Sequence, residues 1–205
     1  MRKIFALFAL LVLCGCTSAE AAPAMYIQPA ELNEEEEAVA KLLGADTDQH
    51  LFDIVLDGTA KKVSVCIYEL VDGKWALRSG GGGLAINDIE EDDTTLRMAF
   101  GFDDLRGKFR QAIQFGSGDY SAVSHAPAEE FEERNSALGR TIAFLSNRTE
   151  IVYEQEIPLA IQINTAKNEV RSYDPEYFFQ PEEYEKFGYE HVYALTVTFS
   201  QEPLS

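Results

Sequence analysis

The chain has few cysteines, few cations and no long apolar run, and each shortage removes a class of protein. Three cysteines occur in 205 residues, two of them at positions 14 and 16. That leaves Cys66 alone beyond the first sixteen residues, so a disulfide framework is excluded for the bulk of the chain. Lys and Arg number 17 against 35 Asp and Glu. Nucleic-acid binding and docking on anionic lipid both depend on basic side chains neutralising phosphate, so neither fits. The longest uninterrupted apolar run, residues 4–13, reaches roughly 15 Å as a helix, against a hydrocarbon core about 30 Å thick. Catalytic and metal motifs are also missing. The three histidines, His50, His125 and His191, belong to no His-Glu-x-x-His motif and no zinc-spaced cysteine pair. Gly116-Ser117-Gly118 lacks the outer glycines of a nucleophile elbow and reads as a turn. The glycine run Gly80-Gly81-Gly82-Gly83 is followed by Leu84-Ala85-Ile86, without the Lys-Ser or Lys-Thr of a phosphate loop, and reads as a strand connection.

What is present begins with an export signal. Arg2 and Lys3 precede the apolar run, which ends in Leu13-Cys14-Gly15-Cys16. This tetrapeptide resembles the lipobox of bacterial lipoproteins, with an apolar residue three before the acylated cysteine and a small one directly before it. Cys14 is bulkier than that motif's usual second residue. Ala19 to Ala22 offer an ordinary secretory cleavage site as the competing reading. The resemblance implies a signal peptide over residues 1–15, a diacylglyceryl group on Cys16 and an extracytoplasmic, membrane-anchored address. Two acyl chains suffice for stable residence where one does not. Residues 16–30 contain five alanines and few bulky side chains and read as a flexible tether. Losing Arg2 and Lys3 leaves 15 basic against 35 acidic side chains. Such a surface favours solubility, cations, or neutral and basic partners.

Residues 31–205 read as one domain. Asn33 before Glu34 to Glu37, with Lys41 and Gly44 at the far end, predicts one short helix packed on a sheet. Cys66 lies mid-strand and is expected to be a buried, inert thiol. Alternation then dominates: Phe52, Ile54 and Leu56; Val63, Val65 and Ile67; Leu96, Met98, Phe100 and Phe102; Tyr193, Leu195, Val197 and Phe199. Asp57-Gly58-Thr59 is expected to close a hairpin between the first two of these, and Val71-Asp72-Gly73 to turn the chain again. A further long strand over residues 151–163 is expected to break at Pro158. About nine short strands without long intervening helices predict an all-β fold, an antiparallel β-sandwich, with a barrel as the alternative.

Two stretches offer candidate sites. Asp88, Glu90, Asp92 and Asp93, with Asp103 and Asp104 nearby in a possible hairpin, are candidate oxygen ligands for calcium; no other cofactor is called for. The stretch before the last strand is rich in aromatic residues, among them Tyr177, Phe178, Phe179 and Tyr184. It is expected either to cap the open end of the sandwich or to present a platform to a sugar or partner. Carboxylates are too numerous for any pair to mark a glycosidase.

Pro29-Ala-Glu-Leu-Asn-Glu-Glu-Glu, Leu51-Phe-Asp-Ile-Val and Asp72-Gly-Lys-Trp75, behind the lipobox, resemble segments of small lipoproteins of Gram-positive anaerobes. That likeness covers about half of the chain and implies no catalytic residue. The sequence therefore points to a surface-anchored, non-enzymatic binding module for a glycan, peptide or envelope partner. A hydrolase acting on polysaccharide or peptidoglycan and a structural envelope protein are the alternatives.

Overall fold

The computed structural model describes residues 24–42, 49–86, 94–116, 118–125, 138–171 and 173–204. Two antiparallel sheets face each other. The six-stranded sheet runs β7 (Tyr120–His125), β6 (Phe109–Phe115), β5 (Thr95–Gly101), β2 (Gln49–Val55), β1 (Tyr26–Pro29), β9 (Thr149–Glu150). The five-stranded sheet runs β4 (Lys74–Ala85), β3 (Lys62–Val71), β11 (His191–Ser200), β10 (Ile157–Thr165), β8 (Gly139–Phe144). The fold is the expected sandwich, open rather than closed into a barrel, with β4 approaching β7 along one side.

The period-two pattern supplies the core. Ile54, Val65, Met98, Phe100, Val197 and Phe199 are completely buried between the sheets. Each such side chain contributes roughly 1.5–3 kcal/mol relative to exposure. Asp72 and Gly73, both at positive φ, form the tight two-residue turn joining β3 to β4.

Four expectations are corrected. First, β2 and β3 do not form a hairpin. Asp57 accepts hydrogen bonds from the Thr59 amide and hydroxyl as a turn, but the chain there passes from one sheet to the other. A turn signature fixes a local reversal and does not say which sheet receives the next strand. Second, the stretch 151–163 is not one strand. The backbone turns at Glu154, at φ 62°, and β10 starts at Ile157, with Pro158 at a bulge against β11. Third, Tyr26–Pro29 form β1 between β2 and β9, so ordered structure begins before residue 31. Fourth, the helix α1 (Glu34–Leu42) forms as expected but buries none of its residues. Asn33 Oδ1 caps the Glu35 and Glu36 amides at 3.0 Å, and Glu36 returns the bond to the Asn33 amide at 2.9 Å. Arg97 on β5 ties this first turn to the sheet, with Nη1 at 3.0 Å from Glu36 and Nε at 2.7 Å from Asp53. Val39 and Leu42 stay exposed because the attachment is ionic.

His50 on β2 stacks on Phe144 of β8, joining the two sheets, at 3.2 Å between centroids and 20° between planes. Burial lowers its pKa from 6.5 to about 4. The unfolded chain therefore takes up a proton that the folded one refuses. Stability is complete above pH 6.5 and is lost as pH falls toward 4. With part of the ring still reached by water, the loss is about 1–2 kcal/mol. Urea titrations at pH 7 and 4.5 check this: His50→Phe should flatten the difference, and an unchanged slope would rule out His50 as its source.

Candidate functional site

The central strands β10 and β11 of the five-stranded sheet are covered on both faces. Every residue of β10 is buried, and its Ile161 and Ile163 turn away from the sandwich core toward a second apolar cluster with Tyr173, Phe178, Tyr184, Val192 and Ala194. The cover is the aromatic stretch. Asp174 Oδ1 accepts the Glu176 amide at 3.0 Å and Pro175 pre-sets the first turn, so Pro175–Phe179 winds as a 3-10 helix. The short helix α2 (Glu182–Glu185) follows. Trp75 of β4 holds this layer down, donating from Nε1 to the Phe178 carbonyl at 2.7 Å and stacking on the Phe178 ring at 4.9 Å. Tyr184 packs edge-on to Trp75 at 6.0 Å and against Tyr173 at 4.7 Å.

The four aromatic candidates separate into two pairs. Phe178 and Tyr184 are buried, 5% and 1% exposed, and serve packing. Tyr177 and Phe179 are 37% and 63% exposed. The layer covers the outer face of a sheet and not the open end of the sandwich, where the capping reading placed it. The strands alone do not reveal which face needs covering.

Phe179 stands at the wall of a cavity of about 340 Å³ between the 3-10 helix and the chain linking β9 to β10. Val152, itself 41% exposed, and Pro158 continue its apolar lining. Gln155 and Gln180 bring amides, and Glu150, Glu156 and Glu176 bring carboxylates. Among the described residues no Lys or Arg lines it. The volume falls within the range of small-ligand sites. An exposed ring beside amides and carboxylates suits a ligand with an apolar face and hydroxyl or amine edges.

A second polar group lies at the β10–β11 end of the sandwich and was not legible in the sequence. Gln162, fully buried, accepts the Leu105 amide at 2.9 Å and donates to Asp104 and Asn164 at 2.8 Å each. Asp104, 4% exposed, pairs with Arg106 at 2.7 Å. Burial pushes its pKa up, but the Arg106 guanidinium and the Gln162 amide outweigh that and hold it at about 2. Glu69 accepts from Arg78 at 2.8 Å and Tyr193 at 3.0 Å and contacts His191 Nδ1 at 2.9 Å. Burial raises its pKa, and these three partners together take it below the ordinary carboxylate range. Both carboxylates are held ionised by their donors, the opposite of the raised pKa a general acid needs. Arg106 and Gln162 between them engage both oxygens of Asp104, so its contacts are internal to the fold. Asp103 pairs with Arg140 at 3.1 Å. Asp88, Glu90, Asp92 and Asp93, and Cys16 with its lipobox, lie outside the described residues.

The model of the YgaN domain matches residues 26–199. The chain belongs to the YgaN domain family. The match opens at the first residue of β1 and closes one residue before the end of β11, so the YgaN domain here comprises both sheets and the aromatic layer. No curated protein and no solved structure matches the chain.

Proposed function

We propose that this YgaN domain is a non-enzymatic binding module, anchored outside the cytoplasm by lipid on Cys16, and that the Phe179 cavity receives its ligand. The observation that carries this reading is Phe179 itself. A ring 63% exposed, on a layer where Tyr173, Phe178 and Tyr184 are packed and Tyr177 is only partly so, is costly to leave in water unless a partner uses it. Among the described residues the lining has hydrogen-bonding amides and carboxylates and no Lys or Arg, which suits a neutral, hydroxyl-rich ring such as a sugar of an envelope glycan. The lipobox supports the address, and the acidic surface keeps the domain clear of anionic headgroups.

The test is an envelope-glycan pull-down with the full chain. Phe179→Ala should weaken capture about tenfold, with an unchanged melting temperature, since an exposed ring contributes little to the fold. Equal capture by the variant would reject the cavity. Cys16→Ser should leave the protein unacylated by mass spectrometry and free of the membrane fraction; firm membrane retention would reject the anchor. Assaying the captured glycan for new reducing ends tests the hydrolase alternative.

A further inference from the structure

We infer that the turn between α2 and β11 carries a second ligand site, separate from the Phe179 cavity, that binds a sugar residue bearing an oxyanion. The site is a cavity of about 420 Å³ lined by Lys167, Asn168, Glu169, Arg171, Phe187 and Tyr189. In a chain with twice as many acidic as basic side chains, it brings two cations together over two aromatic rings.

The geometry explains how. Gly188, at φ +56°, reverses the backbone between Phe187 and Tyr189, so the two rings stack at 5.8 Å and 21°. The Arg171 guanidinium lies over Phe187 at 4.6 Å from its centroid. Its backbone amide donates to the Tyr189 hydroxyl at 3.3 Å, fixing the Arg171 segment to the ring pair. Lys167 Nζ lies 5.9 Å from the Tyr189 centroid and donates to the Phe187 carbonyl. Neither cation enters an ion pair among the described residues.

A guanidinium stacked on a ring keeps its N–H groups in the plane of its edge, the fork that matches a carboxylate or phosphate with two parallel bonds. The Lys167 ammonium spends one proton on the Phe187 carbonyl and has two left. Together they suit one oxyanion. The remaining space exceeds a bare oxyanion, and Asn168 with Glu169 offers amide and carboxylate groups to neighbouring hydroxyls. The acidic bulk of the domain beyond about 10 Å is largely screened at 0.1 M salt, which leaves Glu169 in the lining and Glu190, whose pKa Lys167 helps to lower, as the near carboxylates the two cations must outweigh.

The test uses the full chain, titrated with glucuronate, glucose 6-phosphate, glucose, inorganic phosphate and phosphatidylglycerol vesicles. Binding is read by calorimetry and by amide shifts at Asn168 and Gly188. Glucuronate and glucose 6-phosphate should bind at least tenfold more tightly than glucose or inorganic phosphate, and vesicles should produce no shifts at these amides. Arg171→Gln and Lys167→Gln should each weaken the sugar acids by tenfold or more. Arg171→Lys, which keeps the charge and loses the fork, should fall between, and Phe179→Ala should change nothing. Both sites are exposed, so melting temperatures should match the parent. Glucose binding as well as glucuronate, phosphate binding as well as either sugar acid, vesicles shifting these amides, or parental affinity in the Arg171→Gln, Lys167→Gln double variant would each overturn the assignment.

Discussion

Asp104→Ala should cost the domain about 3–5 kcal/mol, the range seen when one partner of a buried ion pair is removed. The carboxylate accepts the Arg106 amide at 2.9 Å, the Arg106 Nη2 at 2.7 Å and the Gln162 amide nitrogen at 2.8 Å. Alanine leaves the Arg106 side chain, 15% exposed, without its counter-ion, and leaves Gln162 without one of its acceptors. Asp104→Asn should cost less, because an amide oxygen still accepts. Urea denaturation at pH 7 measures both, and a loss below about 1 kcal/mol for alanine would show that the group is not structural. The pH dependence has a definite sign. The folded pKa of about 2 lies below the usual 3.8, so this stabilisation is present above pH 3.8 and is lost as pH falls toward 2. The alanine variant should lack that limb of the acid titration and keep the His50 limb, which lies at higher pH.

Gly80→Ala should destabilise the domain by about 3 kcal/mol or more, through strain and steric overlap acting together. Gly80 sits at φ +110° inside β4, so the glycine run is part of a strand and not the expected connection between strands, and the β3–β4 register slips opposite it between Ser64 and Cys66. A Cβ there would stand 2.1 Å from the Val65 carbonyl oxygen and 2.7 Å from the Cys66 Cα. Both are backbone atoms of the neighbouring strand, so no rotamer change relieves the overlap. Gly58, at φ +80° with open space for 4 Å around the position of an added methyl, isolates the conformational part. Gly58→Ala should cost only about 1–2 kcal/mol. Thermal melts of the two variants side by side check the difference, and equal melting temperatures would mean that β4 can flatten its bulge.

The strands were legible because burial and alternation coincide. Leu96, Met98 and Phe100 repeat every second residue, and each is buried. Pairing was less legible: the Asp57 turn looks the same whether the chain stays in its sheet or leaves it. β10 was harder still, since it is buried on both faces. Its Gln162 and Asn164 resemble solvent-facing residues, yet point into the sandwich, where Asp104 and each other satisfy them. A polar residue within an otherwise apolar strand was the available signal, and its partner lay 58 positions away. In the aromatic stretch composition indicated a layer, but the division between packed Phe178 and exposed Phe179 depends on Trp75, from a distant strand. The cations of the Phe187 turn carry no motif at all. Lys167 and Arg171 meet the ring pair only because Gly188 folds the chain back.

β1 enters its sheet between two neighbours rather than along a border, with Ile27 completely enclosed and Arg148 lying over the Tyr26 ring at 3.9 Å. Any pull on the amino-terminal side of the chain therefore reaches the ladder to β2 and β9 before it reaches the rest of the sandwich. Shortening the protein up to Met25 spares this clasp, whereas trimming four residues further would part β9 from its sheet and open the wall behind Val152.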